Sequence, residues 1–404
     1  MKNKKIAVIG LGYVGLPLAR LFSTKYETIG FDINKTRVNK LNSGIDETLE
    51  VDNDLLSRAI SSRMLILSSN KEDIKDCNVY VVAVPTPVNE KMQPDLTPLI
   101  KVSEMLGTII DKGDIVIYES TTYPGCTEEV CIPCIEKTSG MKFNKDFFVG
   151  YSPERINPGD KEHTVEKIKK VTSGCNEEIA QIVDDLYNSV LVNGTFKATS
   201  IKVAEASKII ENTQRDCNIA FFNELSRICD VLGISTNDVI EAASTKWNFN
   251  VLHPGLVGGH CIGVDPYYLI EKSRSCGYNP EFISRARDLN ESMGKYVADK
   301  FIKKLIMSDK RIKNGKFLIL GFTFKENCPD IRNTKVINIY NELKQYTDNI
   351  VICDPLADKE SVKKEYGIDI INEIPSGEFD GILLAVKHKE FEDIKNITIN
   401  IKEI

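Results

Sequence analysis

The segment Pro254-Gly255-Leu256-Val257-Gly258-Gly259-His260-Cys261-Ile262-Gly263-Val264-Asp265-Pro266 sets a thiol inside a glycine-dense loop. Four glycines between 255 and 263 predict a tight turn that brings backbone close to something. A cysteine can serve as both nucleophile and leaving group, but it needs a cationic neighbour to become thiolate at neutral pH. A buried structural thiol is the commoner fate of cysteine, and that reading is kept for the other ten. For Cys261 the glycine setting, with Asp265 four residues on, favours function. Cys131 and Cys134 form a CxxC with no second pair at matching spacing, and His163, His253, His260 and His388 do not cluster in sequence. No metal is therefore expected, and both thiols read as helix packing.

A second group is Gly10-Leu11-Gly12-Tyr13-Val14-Gly15, between the apolar run Lys5–Ile9 and the helical pattern LPLARLF. Glycines there let the backbone approach a pyrophosphate at a helix N-terminus. Asp32 ends the next apolar run, where a carboxylate accepts from ribose hydroxyls and repels a 2′-phosphate. NAD is therefore favoured over NADP. A third pair, Lys208 and Asn212, lies four residues apart in a helical stretch and so shares one face.

The elements that must position these groups form three blocks. Residues 1–195 alternate β-rich runs with helical patterns, the strand candidates being 5–9, 28–32, 79–84, 115–119, 147–150 and 190–192. Such alternation predicts a parallel sheet wrapped by helices. Residues 196–308 read as helical. One long helix covers about 199–232, stops at Gly233 and has an apolar face of Phe221, Leu225, Ile228 and Leu232; further helical sequence follows at 237–244 and 281–306. Residues 309–404 begin a second α/β pattern with KFLILGFTF, NIVICDP and GILLAVKH. The fold class expected is α/β: two doubly wound Rossmann-like domains joined by a long central helix and a helical middle domain. Ligands then belong at the carboxyl ends of the strands.

Composition excludes several classes. Of 404 residues, 42% are hydrophobic and 27% charged, ordinary values for a globular protein. With 52 basic against 58 acidic residues, the net charge of −6 carries no nucleic-acid footprint. No run of about 18 apolar residues is present, so no membrane span is expected. The opening MKNKKIAVIGLGYVG reads as a first strand rather than an export signal, and eleven cysteines without such a signal point to a reducing cytoplasm.

Seven blocks in order, GLGYVGLPLA, VAVPTPV, ESTTYPG, YSPERINPGD, KIIENTQRDCNIAFFNEL, GLVGGHCIGVDPYYL and GFTFKENCPDIRNTKV, resemble the UDP-glucose/GDP-mannose dehydrogenase family over essentially the whole chain. SPERINPGD and GLVGGHCIGVDPYYL make it most similar to the UDP-N-acetylhexosamine 6-dehydrogenases of capsule, Vi and O-antigen pathways. The resemblance implies a cytoplasmic enzyme with an N-terminal NAD domain of residues 1–195, a dimerising central domain of 196–308 and a C-terminal UDP-sugar domain of 309–404. It implies a homodimer through the central helix, and two NAD and one water consumed per sugar.

Residue by residue, the resemblance makes Cys261 the nucleophile that passes through thiohemiacetal and thioester. Lys208 and Asn212 become oxyanion donors, Thr121 and Glu154 the holders of a water or proton, and Asp265 the carboxylate beside the cysteine. Gly10, Gly12, Tyr13, Val14, Gly15, Asp32, Arg37, Pro85, Thr86, Thr121 and Arg332 would hold the cofactor. Glu154, Arg155, Lys208, Asn212, Gly258, Gly259, His260, Phe324 and Lys325 would meet the substrate. Three departures separate the chain from the UDP-glucose branch. Pro158 replaces a second Glu, Val264 replaces a Lys, and Lys246 and His253 are the basic residues where that branch borrows an Arg from its partner. A single-step hydroxyacid dehydrogenase would leave Cys261 and the second α/β block unexplained. A silent nucleotide-sugar sensor would leave the full catalytic set unexplained.

Overall fold

The computed structural model describes residues 4–89, 93–156, 162, 164–259 and 261–401. It divides into two compact units: residues 1–211 with 267–275, and residues 212–266 with 276–404.

The first unit is built on eight strands: β1 (Lys5–Ile9), β2 (Glu27–Phe31), β3 (Leu65–Ser68), β4 (Val79–Val82), β5 (Ile115–Tyr118), β6 (Phe148–Tyr151), β7 (Lys170–Gly174) and β8 (Thr195–Lys197). Their order is β3-β2-β1-β4-β5-β6-β7-β8, parallel except where β7 runs against β6. The central strands KIAVI, VYVV and IVIY are almost wholly buried on both faces, which is why they read as continuous apolar runs. One core, with Leu106, Ile135 and Tyr151, covers one face, and another, with Leu18, Phe22 and Val183, covers the other. Strand order reverses between β1 and β4, so the switch point lies at Gly10 and Ala83.

The second unit carries four parallel strands, β9 (Phe317–Leu320), β10 (Ile350–Cys353), β11 (Gly381–Leu384) and β12 (Ile399–Asn400), in the order β10-β9-β11-β12. The opening of the first sheet is repeated here. Gly10 N–H donates to Phe31 O and Gly321 N–H to Cys353 O, each at 2.8 Å. Leu11 N–H donates to Asp32 at 2.8 Å, and Phe322 N–H to Asp354 at 2.6 Å. The expected α/β class with two doubly wound sheets is what the chain adopts.

The central helix runs Ile201–Leu232, and the division between units falls within it, after Glu211. The helical sequence expected over 281–306 forms two helices, Glu281–Glu291 and Met293–Met307, parted at Ser292, whose hydroxyl accepts from Arg227 at 2.7 Å. The expected strand at 190–192 is instead the turn that ends the helix Glu177–Asn188. Val190 and Leu191 N–H both return to Tyr187 O, and the edge strand forms three residues later. β3 and β7 were not expected. Among the described residues no helix is long and apolar enough to cross a membrane.

Candidate active site

In the first unit the turn after β1 forms a cradle. Gly10 has φ +92°, and a Cβ on Gly15 would stand 1.7 Å from Gly10 O, so strand and helix meet without side chains. A Cβ on Gly12 would meet nothing within 4 Å, leaving that side open to a ligand. Among the described residues no side chain caps the helix Gly15–Phe22. Asp32, half-buried at the end of β2, accepts from Leu11 N–H and Asn34 N–H, both at 2.8 Å. Arg37 braces the same turn, its Nε donating to Leu11 O at 3.0 Å and its Nη2 to buried Asp46 at 2.6 Å. These residues fit a dinucleotide: room beside Gly12 for a pyrophosphate, and a carboxylate for the ribose. Pro85 and Thr86 follow β4, and Tyr268 pins that loop by donating to Thr86 O at 2.9 Å.

The carboxyl ends of β5 and β6 carry the next group. Thr121 is half-buried after β5, and its neighbour Thr122 is buried. Glu154 follows β6 and is 6% exposed; its Oε1 accepts from Arg155 N–H at 2.6 Å. The Arg155 side chain pairs with Glu211 at 2.8 Å and donates to Lys169 O at 2.8 Å. Beneath Glu154 lies a charge cluster that sequence reasoning missed. Lys170 is fully buried at the start of β7, 2.7 Å from Glu119, 3.5 Å from Glu154 and 3.1 Å from Pro153 O. Tyr187 donates to the other Glu119 oxygen. Burial pushes the Glu119 carboxyl up to about 7 despite the Lys170 charge. Burial works against the Lys170 ammonium too, but the charges of Glu119 and Glu154 outweigh it and raise that group. Two carboxyls thus share one buried ammonium. Its only sequence signal was a polar residue at the end of one apolar run and a lysine at the start of another.

Lys208 sits on the central helix at 7% exposure. One turn before it, fully buried Glu205 accepts from Gly125 N–H and, at 2.9 Å, from Thr127 N–H. That clamps the ESTTYPG loop to the helix carrying Lys208. Asn212 lies one turn after Lys208, and the helix division between units passes between them.

In the second unit Cys261 is partly exposed, and Asp265 and Val264 N–H both close onto Cys261 O, at 2.8 and 3.0 Å. Asp265 is buried and accepts from the Asn212 amide. The pairing ties the cysteine turn to the central helix. His260 lies outside the described residues, as do Pro158 and His163. Gly259 has φ +77°, and a Cβ there would strike the Phe324 ring at 2.9 Å; one on Gly258 would strike Asn333 O at 2.8 Å. The loop is glycine-rich because it lies flat against β9's following turn.

That turn also walls a cavity of about 370 Å³, lined among others by Gly255, Leu256, Phe324, Lys325, Lys335 and Lys387. Its floor is rigid. Asp354 accepts from Phe322 N–H, from Thr323 N–H at 2.9 Å and from His388 Nε2 at 3.0 Å, while His388 Nδ1 accepts from Asn327 N–H at 3.0 Å. With these partners Nδ1 is the acceptor and Nε2 the donor. Burial alone would raise Asp354, but the bonds from His388 and the two amides hold it below the usual range. Asp354 stands where Asp32 stands in the first sheet, yet it is saturated by its own chain and braces a loop rather than a ribose. Arg332 makes a two-pronged pair with Asp330, 2.9 Å at Nε, and is 40% exposed. Cys131 and Cys134 are free thiols at the end of one helical segment and inside the next, and among the described residues no group of His, Cys, Asp and Glu could hold a metal.

Residues 4–191 match the NAD binding domain of the UDP-glucose/GDP-mannose dehydrogenase family, 202–292 its central domain and 318–403 its UDP binding domain. The chain belongs to this family. Membership makes it an NAD-dependent dehydrogenase with a UDP-binding domain, and the open cradle at Gly12 and the cavity at Phe324 and Lys325 lie in the corresponding segments. A UDP-N-acetyl-D-glucosamine 6-dehydrogenase of Pseudomonas aeruginosa is 55% identical, over 98% of this chain and 93% of that one. Another of that name, from Salmonella typhi, is 54% identical over 96% and 91%. Among solved structures, a UDP-D-ManNAc dehydrogenase from Pyrococcus horikoshii superposes with a TM-score of 0.87 at 29% identity, covering 97% of this chain and 91% of its own.

Proposed function

We propose that this enzyme oxidises the C6 primary alcohol of UDP-N-acetylglucosamine to the carboxylate, in two steps on Cys261, for surface-polysaccharide synthesis. The observation that carries the reading is the shared wall: the glycine loop bearing Cys261 packs on Phe324, and Phe324 lines the cavity. A uridine diphosphate held by Lys325 and its neighbours would bring its sugar toward the thiol. The closeness to two relatives named for N-acetylglucosamine supports that sugar, and Val264 argues against plain UDP-glucose.

Gly10–Gly15 and Asp32 would hold NAD, which would supply the hydride acceptor for both oxidations. The alcohol gives up hydride and a proton to become an aldehyde. Cys261 Sγ adds to that carbon, and Lys208 and Asn212 stabilise the oxygen as charge develops; one such donor contributes roughly 3–4 kcal/mol. Loss of a second hydride and of the hydroxyl proton from the thiohemiacetal leaves a thioester. Water, oriented by Glu154 and Thr121, adds to it and expels the thiolate. Per sugar, one alcohol, one water and two NAD give one carboxylate, two NADH and three protons.

The test is an NADH progress curve on UDP-glucose, UDP-GlcNAc, UDP-GalNAc and UDP-ManNAc, with acidic product measured alongside. Two NADH per product on UDP-GlcNAc is expected, with Cys261→Ser inactive but still binding NAD. One NADH per product, or normal turnover by Cys261→Ser, removes the cysteine from the reaction. Preference for another sugar keeps the chemistry and overturns the substrate.

A further inference from the structure

The glycine loop is anchored at both ends by amide side chains outside it. At its start, Asn223 of the central helix accepts from Gly255 N–H at 2.8 Å and donates to Gly255 O at 3.1 Å. Near the cysteine, Asn333 Nδ2 donates to Gly259 O at 3.0 Å. Asn333 adopts φ +50°, a left-handed conformation that asparagine tolerates better than other side chains. Two further loop glycines are shaped to it: a Cβ on Gly258 would meet Asn333 O at 2.8 Å, and one on Gly263 would meet Asn333 Nδ2 at 3.3 Å. Asn333 is itself fixed, since its Oδ1 accepts from Lys335 Nζ at 3.1 Å. Lys335 pairs with Glu291 at 2.8 Å and lines the nucleotide cavity.

The two anchors are joined. Asn223 donates to Asn290 at 2.8 Å, Asn290 donates to Asp216 at 2.8 Å, and Arg287 spans Asp216 and Glu291. The chain of bonds leaves the loop at Gly255 and returns to it at Gly259. A loop with this many glycines has little stiffness of its own. Its geometry comes from this partly buried circuit, whose last member touches the turn that presents the thiol.

We propose that Asn333 is a positioning residue for the reacting cysteine, setting the Gly258–Gly263 turn through Gly259 O while Lys335 ties it to the wall of the nucleotide cavity. The inference rests on Cys261 being the nucleophile. Nucleophile placement is steep in rate, since a displacement of about 1 Å costs on the order of a hundredfold.

Asn333→Gly keeps the left-handed backbone and removes only the side chain; Asn333→Asp keeps the shape and the contact to Lys335 but loses the donor to Gly259. Both variants, with Cys261→Ser beside them, are measured for kcat and KM with UDP-GlcNAc, for UDP affinity by calorimetry and for the alkylation rate of Cys261 by peptide mass spectrometry. The expected result is kcat lowered roughly ten- to a hundredfold in both variants, a changed alkylation rate, and unchanged UDP affinity and Tm. Unchanged kcat in Asn333→Gly, with Cys261→Ser inactive, overturns the positioning role. UDP affinity falling in step with kcat also overturns it, assigning Asn333 to the cavity instead. Normal turnover by Cys261→Ser defeats the nucleophile reading separately.

Discussion

At the scale of single residues, Asp32 and Asp354 show how one position takes two roles. Both end the second strand of their sheet and accept from the first loop amide. Asp32 is half-buried with capacity left for a ligand, whereas Asp354 is 0% exposed and fully engaged. Asp32→Ala is therefore expected to weaken NAD binding roughly ten- to a hundredfold, the size of one or two hydrogen bonds to a charged group, and to narrow the preference over NADP. Titration of both cofactors by intrinsic fluorescence checks this, and unchanged NAD affinity would remove Asp32 from the ribose site. The candidate residues were nominated by local signatures, Cys261 by its glycines with Asp265 and Asp32 by its distance from the turn, and Lys208 with Asn212 by the family motif. Glu119, Lys170 and Asn333 were not, because their roles come from partners 51, 51 and 74 residues away, which no local pattern encodes.

At the scale of elements, the apolar runs that became β1, β4 and β5 were legible because strands covered on both faces carry no polar interruption. β7 was hidden because it opens with Lys170, a charge that makes sense only once Glu119 and Glu154 surround it. The cluster has a consequence for stability. Glu119 has a folded value of about 7, above the unfolded carboxylate range, so its contribution is fully present below about 4.5 and is lost as pH rises through about 7. Glu205, raised to about 7 chiefly by burial, acts in the same direction. Glu119→Gln keeps the shape and an acceptor for Lys170 but cannot ionise. Its Tm relative to the wild type is expected to rise by a few degrees between pH 5 and pH 8, with the residual slope from Glu205 common to both. A difference that stays constant over that range would mean Glu119 does not hold a proton near neutrality.

At the scale of the whole molecule, the central helix leaves apolar surface uncovered. Phe222 turns inward, edge-on to Phe249, whereas its neighbour Phe221 is 59% exposed, and Ile228, Val231 and Leu232 are exposed with it. Positions 221, 228 and 232 recur at helical spacing, so they form one stripe rather than scattered residues. A stripe of large side chains on a two-fold axis is self-complementary, and covering it with a second copy buries both at once. The protein is accordingly expected to be a homodimer through this helix. Light scattering should give twice the 45.3 kDa chain mass for the wild type and the single-chain mass for Phe221→Glu combined with Ile228→Glu. Neither position belongs to the cofactor cradle, so NAD affinity should be retained in the double variant. Loss of turnover on dissociation would mean that the partner supplies part of the sugar pocket. A wild type that is already monomeric at micromolar concentration would sink the dimer, and a double variant that stays dimeric would move the interface off this stripe.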